Sequence, residues 1–197
     1  MQIKVLSFDK KYTYDGTQII PLWALENFDL SGDSMILFRG PMLVKQKEMV
    51  DVKDIVRERE YGDILISGDD CLHFIIEMFD NQPANLKLTY HRLHLLCFIS
   101  KEIIEGVLNV KLKKKGTDLY YQNKKLNVGI ATCSNNSSKI HWGINIVSTG
   151  VPDHVEAIGL FDIDSKTSIK KLAKQIATRF KEELTAINND LYKTRTF

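Results

Sequence analysis

The sequence predicts one α+β domain, a mostly antiparallel sheet backed by helices. Three segments have the apolar spacing of amphipathic helices, and several short apolar runs bounded by turn residues are typical of strands. Because the strands come in runs instead of alternating with helices, their order argues against a doubly wound parallel sheet. At 197 residues, with no linker or repeat, the chain is expected to form one domain over residues 1–197.

Composition and charge limit the classes of function. Apolar residues make up 44% of the chain and charged residues 26%, the balance of a globular protein. Lys and Arg total 27 against 25 Asp and Glu, so no overall field attracts nucleic acid or an anionic membrane. The lysine run at 111–115 lies beside Tyr120 and Tyr121, a combination that single-strand nucleic-acid binders use. A patch this small on a near-neutral chain indicates a solvated edge, and nucleic acid is not an expected partner.

Cysteine usage and hydropathy indicate a cytoplasmic protein. Cys71, Cys97 and Cys133 are odd in number and far apart, without a C-x-x-C pair, which favours reduced thiols. The N-terminal segment reaches acidic residues before a signal-peptide core could form. No apolar run approaches the roughly 18 residues that span a bilayer. We therefore expect no membrane partner.

The first third of the chain contains strands and one short helix. The elements expected there are a strand at Ile3–Phe8, a helix within Ile19–Leu30, a strand at Ser34–Arg39, a charged helix or loop at Lys45–Tyr61, and a strand at Asp63–Ser67 opened by Gly62. Three amphipathic helices are expected farther along, at Asp69–Asp80, Arg92–Leu108 and Ser168–Leu191. The first would have Asp69 or Asp70 as its cap and an apolar face formed by Leu72, Ile75, Ile76 and Phe79.

Between the second and third helices the pattern changes to that of strands. Asp118–Tyr121, Leu126–Thr132 and Lys139–Ser148 are extended segments, and the polar cluster 134–138 is typical of a hairpin turn. Alternating apolar residues in the last segment predict one buried face that includes Trp142. His141 would then face a groove or solvent.

The informative motif covers this hairpin and reads Asp118-Leu119-Tyr120-Tyr121-Gln122-Asn123-Lys124-Lys125-Leu126-Asn127-Val128-Gly129, followed by Gly143-Ile144-Asn145-Ile146. It resembles the centre of biotin protein ligases, where Lys-Trp-Pro-Asn-Asp leads to a Gly-Lys-Lys-Ile-x-Gly turn and a hairpin partner ending Gly-x-Gly-Ile-Asn-Val. The resemblance covers about residues 86–160 and implies a class II synthetase or biotin/lipoate ligase-like fold. The match departs at one point in the turn. Two residues, Asn127 and Val128, separate the hydrophobic position from Gly129, whereas the ligases usually have one.

The resemblance assigns roles to individual residues. The second turn lysine of the ligases contacts the carboxylate and α-phosphate of an acyl-adenylate, and Lys125 matches it, with Lys124 as the nearest alternative. Asp118, Gly129 and Asn145 are at the other matching positions. Independently of any family, an ammonium in a half-buried groove neutralises a carboxylate and a phosphate that approach each other. The alternative is that the lysines belong to an ordinary solvated hairpin loop.

The activating loop of the ligases is missing. Biotin ligases carry Gly-Arg-Gly-Arg-x-Gly-Arg and lipoate ligases Arg-Arg-x-x-Gly-Gly-Gly, loops that wrap the activated phosphate. Here Arg39-Gly40, followed by Pro41, is the nearest equivalent and is predicted to contact phosphate. The use of ATP or an acyl-adenylate is therefore left open, as is transfer from an already activated thioester.

Three further histidines and Glu77 complete the set of candidates. His73 and Glu77, four apart on the expected helix, would form an acid/base pair, two metal ligands or a simple surface hydrogen bond. His91 and His94 share a helical face without a third ligand nearby, so no metal site is expected. The segment Leu86–His91 also resembles the Tyr-His strand end of lipoate ligases.

The whole chain resembles a prokaryotic family of small proteins, domain of unknown function 366, related to these ligases by fold. The segments Phe38-Arg39-Gly40 and Leu72-His73-Phe74-Ile75-Ile76-Glu77 carry that resemblance. That resemblance names a relative without naming a reaction. The resemblance to the ligases implies a cofactor or acyl ligase- or transferase-like protein that binds a carboxylate-bearing small molecule or its nucleotide ester beside Lys125. The alternative is a non-catalytic binding or regulatory module. An exposed sheet edge also allows a homodimer.

Overall fold

The structure is a computed structural model that describes residues 1–59 and 65–195. Within these ranges the chain forms eight strands and five α-helices, in the order β1 Gln2–Val5, α1 Trp23–Phe28, β2 Ser34–Lys45, α2 Val52–Arg59, β3 Leu65–Met78, α3 Leu86–Leu108, β4 Lys113–Lys115, β5 Asp118–Tyr121, β6 Lys124–Lys125, β7 Asn127–Cys133, β8 Ser138–Asn145, α4 Leu160–Ile163 and α5 Ile169–Leu191. No helix among the described residues has both the length and the apolar character to cross a membrane.

A five-stranded sheet occupies the centre, with the strand order β1-β2-β3-β8-β7. Strand β1 is parallel to β2, and the other neighbours are antiparallel. Strands β4, β5 and β6 form a separate small antiparallel sheet. The predicted α+β class, with a mostly antiparallel sheet, is confirmed.

Helices α3 and α5 cover one face of the large sheet. On that face Phe74 of β3 pairs with Trp142 of β8, and both side chains are fully buried. Buried residues of the two helices complete this core, among them Leu93, Leu96, Leu172, Ile176 and Phe180. The predicted C-terminal helix is confirmed. Its apolar stripe is buried as far as Phe180, whereas Ile187 near the end is exposed.

The opposite face of the sheet packs against the N-terminal segment and forms a second core. Ile36, Phe38 and Ile75 of the sheet are buried there against Tyr14 and neighbouring apolar residues. Tyr14 belongs to no named strand, and an isolated parallel bridge to Met42 of β2 holds it in this position. The central strands are therefore covered on both sides.

The helix predicted at Asp69–Asp80 is wrong, because most of that segment belongs to β3. Leu72, Phe74 and Ile76 belong to the helix-side core, while Cys71 and Ile75 belong to the second core. A strand buried on both faces is a continuous apolar run, and its spacing cannot be distinguished from that of a buried helix. Asp70 is no helix cap but an ion-pair partner of Arg39.

Other predicted boundaries shift by a few residues. The first strand is Gln2–Val5, and β2 continues past Arg39 to Lys45. The charged stretch after β2 contains a 3-10 turn at Gln46–Glu48 and α2. Glu60 to Ile64, which include the predicted opening Gly62, lie outside the described residues, whereas Leu65–Ser67 is extended as expected.

The segment Leu86–His91, likened above to a strand end, is instead the first part of α3. Asn85 caps this helix by accepting a hydrogen bond from the Leu88 backbone N–H at 2.9 Å. Such a cap satisfies one of the donors that the first helical turn leaves free. The helix therefore begins at Leu86, six residues before the predicted start at Arg92.

Gly129 is held to a small size by the helix-side core. A Cβ there would lie 2.7 Å from Cε3 of the buried Trp142 ring. We expect Gly129→Ala to lower the free energy of unfolding by about 1–3 kcal/mol, the usual cost of extra volume in a packed core. In the control Gly106→Ala, the added Cβ meets nothing within 4 Å, so helix propensity should make that variant at least as stable as the parent. Urea unfolding followed by circular dichroism tests both, and equal stability of the two variants would contradict this packing.

Candidate functional site

A cavity of about 330 Å³ lies on the sheet face opposite α3 and α5. The strand pair β7–β8 contributes Val128, Ile130 and His141 to its lining. Apolar residues from the facing segments complete it, including Ile19, Met42, Val44, Met49 and Ile66. Apolar side chains therefore form one part of the lining, and charged groups from residues 48–53 and from the small sheet form another.

A tight hairpin brings Lys125 to this cavity. Tyr120 pairs with Lys125, and the two turn residues Gln122 and Asn123 have φ values of 49° and 66°. Positive φ at both central positions is the geometry of a type I′ turn, which matches the twist of adjoining strands. The Lys125 backbone N–H donates to the Glu156 carbonyl at 2.7 Å, so this end of the hairpin is fastened on both sides.

The Asn145 side chain holds the Lys125 backbone in place through a hydrogen bond. Its Nδ2 donates to the Lys125 carbonyl at 3.4 Å and to the Ile158 carbonyl at 3.3 Å. The side chain is buried and also lines a second, smaller cavity of about 60 Å³. Asn145 is therefore placed to position Lys125.

The two cavities share one polar residue and three apolar ones. Lys125 lines both, together with Met42, Ile66 and Val128. Its Nζ lies 2.9 Å from Asp118 Oδ1, and both side chains are partly exposed. A lysine ammonium has three donors, so the pair with Asp118 orients the charge without exhausting its hydrogen bonds.

Charges around the larger cavity are balanced. Its charged lining among the described residues consists of Lys53, Lys115, Lys125, Glu48, Asp51 and Asp118. Equal numbers of each sign produce little net field, so a ligand anion must be recognised by local contact rather than by long-range attraction.

Two stacked histidines and a tyrosine lie at the wall of the cavity, where Tyr14 and His141 line it and His73 contacts His141 from behind. His73 Nδ1 is 3.0 Å from His141 Nε2, and the Tyr14 ring stacks on His141 with centroids 3.5 Å apart. Burial lowers the pKa of His73 to about 4, and burial followed by the His73 charge lowers the pKa of His141 well below its usual value. Both rings are therefore neutral at pH 7.

The structure brings together some of the predicted site residues. Lys125, Asp118, Gly129 and His141 line the larger cavity, and Asn145 lines the smaller one. His73 is fully buried and reaches the cavity only through His141, while Lys124 is exposed and lines neither cavity.

Arg39 and Gly40 lie outside both cavities and have other partners. Arg39 donates from Nε to both carboxylate oxygens of Asp70 at 3.0 Å and from Nη2 to Oδ2 at 2.6 Å. Burial alone would raise the pKa of Asp70, but hydrogen bonds from Arg39 and Lys11 outweigh it and hold that pKa low. A Cβ at Gly40 would lie 2.2 Å from the Tyr12 carbonyl oxygen. Both residues of this pair are thus engaged by other parts of the protein, and contact with phosphate stays a prediction for them.

The predicted pairing of His73 with Glu77 does not occur. Two residues that are four positions apart on a strand lie roughly 13 Å from each other, whereas on a helix the same spacing is about one turn and brings them onto one face. Glu77 instead accepts hydrogen bonds from the Leu22 backbone N–H at 3.0 Å and from the Ser137 hydroxyl at 2.6 Å. His91 is exposed on α3. No group of His, Cys, Asp and Glu among the described residues is arranged to hold a metal ion.

Tyr14 is the site residue that sequence reasoning missed. It lies in neither a named helix nor a named strand, and no motif surrounds it. Its place follows from the long-range bridge to Met42, for which the local sequence has no signal.

The mostly antiparallel, helix-backed sheet defines an α+β fold of the biotin/lipoate ligase-like type. The chain belongs to the family described as Domain of unknown function (DUF366), whose model matches residues 1–195. It is 42% identical to Uncharacterized protein MJ0805 of Methanocaldococcus jannaschii over 192 residues, which covers 98% of this chain and 84% of that protein.

Solved structures confirm the fold. A Protein of Unknown Function from Pyrococcus horikoshi is 33% identical, with a TM-score of 0.89 over 100% of this chain and 98% of that chain. The biotin protein ligase from Aquifex aeolicus in complex with biotin and ATP is 17% identical, with a TM-score of 0.63 over 93% and 70%. Protein Ta0514 from T. acidophilum with bound lipoic acid is 12% identical, with a TM-score of 0.60 over 93% and 86%. The last two likenesses concern the fold alone.

The buried histidine pair makes stability depend on pH. In the unfolded chain a histidine binds a proton near pH 6.5, whereas folded His73 does so near pH 4. The unfolded state therefore binds more protons as pH falls, and stability present at pH 7 is lost between these values. For His73 alone we expect a loss of about 2 kcal/mol between pH 7 and pH 5, with a further loss in the same direction from His141. Urea titrations at the two pH values test this, and equal stability would show that the rings protonate freely in the folded protein.

Proposed function

We propose that this protein is a cofactor or acyl transferase-like protein that binds a carboxylate-bearing small molecule, or its nucleotide ester, beside Lys125. The observation that carries the proposal is that Lys125 lines both cavities. A carboxylate or phosphoester held there meets the ammonium, while the apolar part of the molecule occupies the larger cavity. The ligand-bound neighbours, with biotin and ATP in one and lipoic acid in another, support this choice of ligand class.

The lysine would act by stabilising negative charge. Asp118 holds the ammonium at 2.9 Å, and Asn145 fixes the backbone below it, so little reorganisation accompanies binding. In a transfer step, an acceptor nucleophile attacks the acyl carbon, and the leaving group departs with the electron pair of the broken C–O or C–S bond. Lys125 stabilises the negative charge that develops on the acyl oxygen during the attack and, for a nucleotide ester, on the oxygens of the departing phosphate.

One observation favours a second function, a non-catalytic binding or regulatory module. Asp70 holds Arg39 through Nε and Nη2, and Gly40 packs against Tyr12, so this segment is engaged within the protein and does not form a loop around an activated phosphate. Such a module would bind the same ligands through Lys125 without promoting transfer.

Binding tests the role of Lys125 directly. Lys125→Gln is expected to weaken the affinity for biotin, lipoic acid, octanoic acid or a non-hydrolysable octanoyl-adenylate analogue, whichever the parent protein binds. A lost charge-assisted hydrogen bond costs about 1.5–3 kcal/mol, which is roughly ten- to hundredfold in Kd. Lys124→Gln is the matched control, because Lys124 is exposed and lines neither cavity. If isothermal titration calorimetry finds the affinity of Lys125→Gln unchanged for every compound, the proposal is wrong.

A chemical trap separates the transferase from the binding module. Octanoyl-adenylate is incubated with hydroxylamine, whose nitrogen attacks the acyl carbon as AMP leaves, and the hydroxamate is measured. A transferase accelerates this reaction in the parent protein and less so in Lys125→Gln. Binding without any acceleration over buffer supports the module.

A further inference from the structure

The end of the cavity formed by His141 and Tyr14 has its own polar groups. Both residues are almost completely buried, with exposed fractions of 2% and 3%, yet both line the cavity. His141 lies four residues before Asn145 on β8, and the Asn145 side chain donates to the Lys125 backbone carbonyl. At about 3.3 Å per residue, roughly 13 Å of strand separates His141 from Asn145. The histidine end of the cavity is therefore distinct from the end at which the Lys125 backbone is held.

A chain of hydrogen bonds sets the proton positions on the two rings. The Gly40 carbonyl, 3.1 Å from His73 Nε2, can only accept, so His73 carries its proton on Nε2. Neutral His73 then accepts at Nδ1, and His141 must donate from Nε2 across 3.0 Å. In neutral His141 the remaining nitrogen, Nδ1, therefore carries a lone pair and no proton.

That nitrogen is available for a ligand. In the described part of the chain, neither Nδ1 of His141 nor the Tyr14 hydroxyl has a hydrogen-bond partner. Among the described residues, the polar side-chain atoms that are both unpaired and closed off from solvent are Ser100 Oγ and Trp142 Nε1. His141 Nδ1 and the Tyr14 hydroxyl are not among these atoms. They are therefore unpaired but still accessible. Leaving such a group unpaired in a ligand complex costs about 1–3 kcal/mol, so an occupant of this cavity gains by pairing it.

Resting on the proposed function, we infer that His141 Nδ1 accepts a hydrogen bond from the end of the ligand remote from its carboxylate, with the Tyr14 hydroxyl as a second polar contact. The ligand class is then a carboxylic acid with an apolar middle and a terminal N–H or O–H group. The side chains of Met42, Val44, Ile66 and Val128 supply the apolar surroundings for that middle part. A plain fatty acid, or one ending in an acceptor only, leaves Nδ1 unpaired.

Three acids of equal chain length test this in the parent protein. The acids are ω-hydroxyoctanoic, ω-methoxyoctanoic and octanoic acid, and calorimetry measures their affinities. We expect the hydroxy acid to bind about tenfold tighter than the methoxy acid, because a site that pairs a donor discriminates against a ligand without one. In His141→Phe, which keeps an aromatic ring against Tyr14, the preference should vanish. His94→Phe, on the exposed face of α3, is the matched control and should retain it.

A second measurement needs no variant. The ¹⁵N chemical shift of His141 Nδ1 should move upfield when the hydroxy acid is added and stay unchanged with octanoic acid. If the acids bind in a Lys125-dependent way but the hydroxy acid has no advantage, the inference fails and the proposed function stands. If none of the three acids binds while another carboxylate binds in a Lys125-dependent way, the inference alone fails. If binding of the acids ignores Lys125→Gln, the inference falls together with the proposed function.

Discussion

The burial of β3 on both faces is the constraint on which the rest of the structure depends. Its side chains alternate between a core packed against α3 and α5 and a second core packed against the N-terminal segment. Hydrogen bonding to β2 on one edge and β8 on the other fixes its register, so no residue can slip without exchanging the two faces. This register places His73 beside Gly40 and within reach of His141. The position of the two histidines at the cavity is thus a consequence of the pairing of β3 with β2 and β8.

The site combines a positioned charge with neutral buried polar groups. Lys125 has a fastened backbone and an oriented ammonium, whereas the histidines are held neutral by burial. Apolar side chains line the same cavity as Lys125 and His141. Such a distribution suits an amphipathic acid better than a polyanion, because the charges around the cavity balance and Arg39 is already engaged by Asp70. The glycine–arginine loop of the ligases has no counterpart at Arg39–Gly40, although the fold is shared.

Features that depend on nearby residues could be predicted from the sequence. The hairpin of β7 and β8 and the helix at Ile169–Leu191 have local signals, namely the polar turn residues that precede β8 and a helical apolar stripe. β3 was mistaken for a helix because two buried faces erase the alternation of a strand. Tyr14 and the pair of Arg39 with Asp70 depend on contacts between distant segments, which single-sequence patterns do not contain. The predicted pairing of His73 with Glu77 was wrong because it assumed a helix where the structure has β3.

The position of a bound carboxylate tests the central claim most directly. A crystal structure of the protein with an octanoyl-adenylate analogue should show an acyl or phosphate oxygen about 2.8 Å from Lys125 Nζ, the usual length of a charge-assisted hydrogen bond. The octanoyl chain should point along Val128 toward His141. A ligand bound elsewhere, with Lys125 contacting Asp118 alone, would contradict the proposed role of this lysine.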